Sequence, residues 1–503
     1  MGTGILIAGA GPTGLAMALW LAKSGVEFRI VDKTPRPSDE SRALVVHART
    51  LELYAQAGFA DEAIAHGLEF SAANLWAAGE RVARVKLGDI GADLSPYPYL
   101  LVLAQDRHER LLVERLATLG VQVERETELV DVEQGDGRIV ALLRRRDGSE
   151  ERCECAWLAG CDGTHSTVRQ KLGLRFPGGT YQHLFYVADV QASGPVVNRE
   201  LNVALDEADL LAVFPLPGEG NARLIGTIRA ESEEAARRLG WEDVSQNILE
   251  RLKIRVSKVN WFSTYHVHHR VTEHFRAGRA FLLGDAAHIH SPVGGQGMNT
   301  GIGDAVNLAW KLAKVVRGRA DARILDTYEP ERIGFARRLV ATTDRGFTFV
   351  SSPGPVARAV RLHVVPHLLP AVMSFEAARR FLFRTVSQTM IHYRGSALSA
   401  GWAGSVAGGD RLPWTGENFA PLTALDWQVH VYGEASRPLI DACRALGISL
   451  HVFPWEPRVQ RVGLARNAMY LLRPDGYVAL ADGAADPARL QGYMRTWTDA
   501  RPA

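Results

Sequence analysis

The sequence predicts an α/β protein of several domains, and three observations carry that expectation. The chain opens on a strand–turn–helix–strand unit with spaced glycines in its turn. Two more glycine clusters, each after a short apolar strand, stand near residues 160 and 284. Between those two lies a stretch, 178–271, that alternates apolar and polar positions in short runs broken by Gly and Pro. The length of 503 residues agrees with more than one domain, since single domains commonly run to roughly 100–150.

Composition narrows the class. Apolar residues make up 47% and charged residues 23%, as in ordinary globular proteins. A net charge of +2 gives no global attraction for nucleic acid or an anionic membrane. The four cysteines, Cys153, Cys155, Cys161 and Cys443, form no C-x-x-C, so no zinc knuckle or dithiol centre is expected. The N-terminus carries no signal-peptide pattern, and no apolar run reaches the ~20 residues needed to span a bilayer. The expectation is a soluble cytoplasmic protein.

Taken in order, Gly4 to Ala8 is a continuous apolar strand of the kind buried on both faces. Gly9-Ala10-Gly11-Pro12-Thr13-Gly14 follows, then a helix to Lys23, then a second strand, Val26 to Val31, ending in Asp32. Gly9 permits the tight turn, Gly11 lets backbone amides reach a pyrophosphate, and Gly14 lets helix and strand pack closely. Asp32 stands where a carboxylate accepts from a ribose hydroxyl. This is the Rossmann-like dinucleotide pattern, and at this point it fits FAD and NAD alike.

The second cluster, LAGCDGTHSTVRQKLG from Leu158 to Gly173, reads as a strand end, an Asp162-Gly163 turn, and a helix capped by Ser166. The third, GRAFLLGDAAHIHSPVGGQGMN from Gly278 to Asn299, reads as a buried strand, a Gly284-Asp285 turn and a glycine-rich loop opening a long helix. Ile302, Val306, Ala309, Leu312 and Val316 recur on that helix's expected buried face. Its N-terminus makes an anion site that would suit the N1–C2=O edge of a flavin.

Together these motifs resemble the FAD-dependent class A flavoprotein monooxygenases, the aromatic hydroxylase group. The resemblance covers residues 2 to 345 and includes Tyr328-Glu329-Pro330-Glu331-Arg332. It implies that Asp285 bonds the ribityl chain, that Pro292 lies beside the isoalloxazine, and that Gly295, Gly297, Met298 and Asn299 offer donors to the ring. Asp162 would sit near the pyrophosphate and serve NAD(P)H use. Arg42, in SRALVVHARTLE, would contact the cofactor region, and Gln105, in LAQDRHERL, would hold the FAD. With Gly9, Gly11, Pro12, Thr13, Gly14, Asp32 and Lys33 these complete the expected cofactor set. Many family members have Glu where Asp32 stands. Arg42 and Pro292 are the residues expected nearest the chemistry.

The implied reaction is reduction of FAD by NAD(P)H, addition of O₂ to give a flavin C4a-hydroperoxide, and hydroxylation of an aromatic or polyketide-like phenol. Two alternatives are Baeyer–Villiger-type insertion on the same flavin chemistry and a non-catalytic FAD-fold carrier or scaffold. A halogenase would usually carry W-x-W-x-I-P, which is absent. No metal is expected: His266, His268 and His269 lie in a strand-like stretch without an acid or cysteine at ligand spacing. His288 and His290, flanking the third motif, are expected to make structural hydrogen bonds.

The implied organisation is an FAD-binding domain over 1–177 and 272–345, an antiparallel substrate sheet over 178–271, a helical connector over 346–400 and a last α/β domain over 401–503. In the sheet, Phe185, Tyr186 and Phe214 are candidate pocket residues, with core packing an equal explanation. In the connector, Pro366 and Pro370 are expected to separate two helices. The last domain shows strands at Trp427 to Tyr432 and Leu450 to Phe453, a hairpin turning at Pro474-Asp475-Gly476, and a helix from Asp486 to Trp497. It resembles the thioredoxin-like C-terminal domain of some longer family members, Arg473-Pro474-Asp475-Gly476 being the most recognisable stretch. Without C-x-x-C, its expected role is structural or a homodimer contact.

Overall fold

The computed structural model of the chain describes residues 3–37, 43–70, 72–77, 79–86, 91–135, 137–205, 210–228, 239–291, 293–351, 360 and 364–498. Its first layer is a seven-stranded sheet whose centre is parallel. Strand Thr3–Ala8 lies between Arg29–Val31 and the long strand Glu150–Gly160, which in turn pairs with Ala280–Leu282. Ile5, Leu6 and Ile7 are fully buried, as a strand covered on both faces requires. The register sets Ala8 beside both Val31 and Gly160, and Gly160 beside Leu282. The turns that follow these strands therefore leave the sheet at one edge, the carboxyl end where open α/β sheets take their ligands.

Helix Pro12–Lys23 packs over this sheet together with the long helix Gln296–Val316. Pro12 sits in the first turn, where its missing amide costs nothing. On the long helix Ile302, Val306, Ala309 and Leu312 are buried as expected, but Val316, at the last turn, is 40% exposed. Val316 reaches Gly4 at the start of the first strand, at the rim of the core, so periodicity alone overstates the buried face by one residue.

The second layer is an eight-stranded sheet. It contains the strands expected in the 178–271 stretch, led by Gly178–Ser193 and Arg255–Val271. It also takes in Ala72–Ala77 and Glu80–Lys86, from before that stretch, through a parallel pairing of Leu201–Leu205 with Ala72–Ala77. Glu80–Lys86 carries Glu, Arg and Lys and forms the sheet edge, which its charges protect from further pairing.

Among the described residues of the connector, the end of helix Tyr328–Ser351 is followed by helices Val365–Ser374 and Glu376–Val386, which meet at Phe375. Pro366 and Pro370 do not separate them. Pro366 occupies the first turn of its helix, where no amide partner is lost, and Pro370 lies within the same helix. The C-terminal sheet holds the parallel pair Gln428–Tyr432 and Ser449–Phe453, joined by helix Arg437–Ala445. The hairpin of Met469–Leu472 and Val478–Asp482 follows, then helix Pro487–Thr498. One apolar core runs from the first sheet into this domain, with Trp310 and Trp427 meeting edge to face at 5.6 Å.

Candidate functional site

Three turns converge at the carboxyl edge of the first sheet. In the first, a β-carbon on Gly14 would collide with the Gly9 carbonyl oxygen, which keeps helix and turn in direct contact. Gly11 caps helix Pro12–Lys23 with no side-chain bond to its amides, and a β-carbon there would meet nothing within 4 Å. The free amides of this helix start thus open onto clear space, as an anion site requires. Thr13 faces the third turn, with its hydroxyl against both Gly284 and Gly301.

Asp32 follows the second strand directly and braces the same turn. Its Oδ2 accepts the Ala10 amide at 2.6 Å, and its Oδ1 accepts the Thr34 amide at 2.8 Å. Lys33, next to it, is exposed. Gln105 begins helix Gln105–Thr118, accepts the Ala43 amide at 3.2 Å and donates to Glu109 at 2.9 Å, which fixes the segment leading into strand Val45–Val46. Arg42 and Pro292 lie outside the described residues.

The second turn is held by Asp162, whose Oδ1 accepts the Ser166 hydroxyl at 2.6 Å and whose Oδ2 accepts the Val168 amide at 3.0 Å. Ser166 in turn accepts the Arg169 amide at 2.9 Å, the cap expected from the sequence. Burial raises the Asp162 carboxyl above its ordinary range despite these bonds.

At the third turn Asp285 is exposed at the strand end, and Gly295 starts the long helix without a side-chain cap. Asn299 acts through its side chain. Its Oδ1 accepts the His47 amide at 2.9 Å and the Thr50 hydroxyl at 2.8 Å, while its Nδ2 donates to the Val45 carbonyl at 2.8 Å and the Gly295 carbonyl at 2.9 Å. It therefore sews the glycine loop to the segment after strand Val45–Val46. Gly297 and Met298 are half-buried beside it.

A buried group not anticipated from the sequence holds this turn. Asp304 accepts the Gly284 amide at 3.0 Å, His288 Nε2 lies 2.7 Å from its Oδ2, and Arg332 Nε donates to its Oδ1 at 2.6 Å. The carboxyl stays below its ordinary range because Arg332 and His288 outweigh the burial. An acid in the middle of an apolar helix was the available signal. His288 makes the structural bond expected of it, and so does His290, whose Nδ1 lies 2.8 Å from the Ser291 carbonyl oxygen, while His290 Nε2 and Ser291 Oγ are buried without a protein partner among the described residues. Burial pushes the His290 imidazole down to about 4, so it is neutral at physiological pH.

One face of the second sheet carries Phe185 and Phe214 together with the ion pair of Arg223 and Asp189 at 2.6 Å. Phe214 packs in one cluster with Leu44, Val45 and Val386, and Val45 lies against Gly295. Phe185 packs with Val267 and the half-buried Leu210 and Ile225. Leu210 and Phe214 alternate with Leu211 and Val213 along one strand, so they share a face. Tyr186 is not a pocket residue. It belongs to the cluster with Ile248 and Leu249 on the sheet's opposite face, stacked on Phe262, because neighbouring strand residues point oppositely. His268 Nδ1 is 2.7 Å from the Thr180 hydroxyl, and no metal-holding group of three or more His, Cys, Asp or Glu occurs among the described residues. No described helix is long and apolar enough to cross a membrane.

Open helix amides at Gly11, an exposed acid at Asp285 and an uncapped glycine start at Gly295, all on one sheet edge, fit a dinucleotide carrying a flavin. The FAD binding domain family model matches residues 2–343. The chain belongs to the FAD binding domain family. This FAD binding domain protein is 35% identical over 518 residues to the 6-methylpretetramide 4-monooxygenase of Streptomyces rimosus, covering 95% of this chain and 90% of that one. It is 30% identical to a 12-dehydrotetracycline 5-monooxygenase/anhydrotetracycline 6-monooxygenase of the same species, over 98% of each chain. Among solved structures, the anhydrotetracycline hydroxylase OxyS of Streptomyces rimosus matches with a TM-score of 0.77 at 28% identity, over 100% of both chains. This member of the family is an FAD-dependent monooxygenase.

Proposed function

We propose that the protein hydroxylates an aromatic, polyketide-like phenol with NAD(P)H and O₂. The observation that supports this most is the contact of the third glycine turn with an apolar cluster: Gly295 lies against Val45, which packs in one cluster with Phe214. The names of two relatives, a 6-methylpretetramide 4-monooxygenase and a 12-dehydrotetracycline 5-monooxygenase/anhydrotetracycline 6-monooxygenase, favour the same substrate class.

Bound FAD supplies the redox chemistry, accepting electrons from NAD(P)H and activating O₂. The chain supplies position and exclusion of water. The amides after Gly11 hold the pyrophosphate, Asp285 the ribityl hydroxyls, and the start of the long helix at Gly295 to Asn299 the pyrimidine edge of the ring. Asp162, through its bonds to the Ser166 hydroxyl and the Val168 amide, orders the second turn and serves NAD(P)H use. The apolar cluster of Leu44, Val45, Phe214 and Val386 keeps water from the reacting centre.

The test is a panel of phenolic polyketides screened for stimulated NADPH oxidation by the FAD-loaded enzyme, with products identified by mass. The reading expects faster oxidation with an accepted phenol and a product heavier by one oxygen atom. A product rearranged or cyclised without added oxygen would contradict it.

A further inference from the structure

The turn Arg473-Pro474-Asp475-Gly476 lies beyond the residues matched by the family model, yet it is buried against them. Arg473 is 0% exposed. Its two terminal nitrogens donate to the two carboxylate oxygens of Glu331 at 2.8 and 3.0 Å, and its Nε and Nη2 donate to Asp475 at 3.0 and 2.7 Å. Glu331 also accepts from Lys311 Nζ at 2.8 Å, Asn307 Nδ2 at 2.6 Å and the Ser396 hydroxyl at 2.6 Å.

Two arms lead from this cluster to the cofactor turns. One passes from Glu331 to its neighbour Arg332, which donates to Asp304 at 2.6 Å and to the Thr300 carbonyl at 3.1 Å. Asp304 holds the Gly284 amide. The other arm starts at the Asp475 carbonyl, which accepts from Arg49 at 2.6 Å. Arg49 stands in the first turn of helix Ala48–Gln56, whose Thr50 and preceding His47 are bound by Asn299. Both ends of the third cofactor turn, Gly284 and Asn299, are thus tied to one turn of the C-terminal domain.

Apolar side chains of similar volume would hold two domains together at least as well as buried ions. A fully satisfied ion cluster adds direction, since each bond admits one register of its partners. We propose that Arg473 is a positioning residue for the cofactor: the Arg473–Gly476 turn sets, through Glu331 and Arg49, the geometry of the elements that receive FAD. This rests on the FAD site described above and goes beyond it, because it makes the C-terminal domain a working part of that site.

The test uses the full chain and two readouts, the FAD dissociation constant by fluorescence titration and the reduction potential of the bound flavin. Arg473→Met is expected to bind FAD at least tenfold more weakly and to shift the potential, with Arg473→Lys recovering part of both. Asp426→Asn, which removes the Lys314–Asp426 pair between the same domain and the far end of the long helix, is expected to match wild type in both. If Arg473→Met lowers only the melting temperature and leaves affinity and potential unchanged, the turn is mere adhesive and the proposal falls. Should Arg473→Met fail to fold, Glu331→Gln is read in the same two ways and decides. A wild-type chain that takes up no FAD would instead overturn the site itself.

Discussion

A β-carbon built on Gly284 would stand 2.5 Å from the hydroxyl oxygen of Thr13, so the turn after strand Ala280–Leu282 and the first glycine turn meet with no room for a side chain. Gly284 also has φ +56°, a conformation other residues adopt at a cost. The two turns are parts of one binding edge, and that edge is sensitive to single methyl groups.

Gly284→Ala is expected to destabilise the fold by about 1–3 kcal/mol, the usual range for overpacking a tight contact, and to lower the FAD content of the purified protein. Thermal melting and the flavin-to-protein absorbance ratio check this. A variant with wild-type melting and full flavin would show that the two turns part easily.

Gly11→Val separates binding from folding. Nothing surrounds its β-carbon, so the apo fold should lose no more than about 1 kcal/mol, the scale of a changed helix cap. FAD affinity should fall at least tenfold, because the side chain fills the space in front of the helix amides. Titration of the apo protein with FAD measures it.

Asp304→Asn removes the charge that offsets Arg332 while keeping the size of the side chain. Breaking a buried pair of this kind costs about 3–5 kcal/mol. The expected result is a lower melting temperature and weaker FAD binding together, since the same carboxylate holds the Gly284 amide. Asp285→Ala should weaken FAD binding, which titration of the apo protein measures.

Glu331 gives a pH dependence. Arg473 and Lys311 hold its carboxyl well below the ordinary range despite its burial. Its stabilisation is complete above the unfolded value of about 4.3 and is lost as pH falls below it. The melting temperatures of wild type and Glu331→Gln should therefore differ widely at pH 7, and the gap should begin to narrow once pH falls below about 4.3 and go on narrowing as pH drops toward the depressed folded value. A gap that stays constant would mean that the charge on Glu331 contributes nothing.

Much of this site is legible in the sequence because its parts are local. The glycine turns, the Ser166 cap and the strands before them follow from spacing within about thirty residues. What stays hidden depends on distant partners. Glu80–Lys86 joins the second sheet only because Leu201–Leu205 pairs with Ala72–Ala77, and no local pattern encodes that parallel register. Asp304, Asn307 and Lys311 carry no motif that singles them out, and their burial depends on Arg332, Glu331 and Arg473, which come from later elements of the chain. Asn299 was expected to offer its backbone, and its side chain turns out to fasten the loop. Tyr186 and Phe185 look alike in sequence, and only the sheet's orientation sends them to opposite faces.

The most direct test of the account is the fate of oxygen in a single turnover. FAD-loaded protein, NADPH and an accepted phenol are mixed under ¹⁸O₂ in ordinary water, and the product is weighed. The account predicts one ¹⁸O atom in the product for each NADPH consumed in coupled turnover. A product carrying oxygen only from water, or none at all, would contradict it.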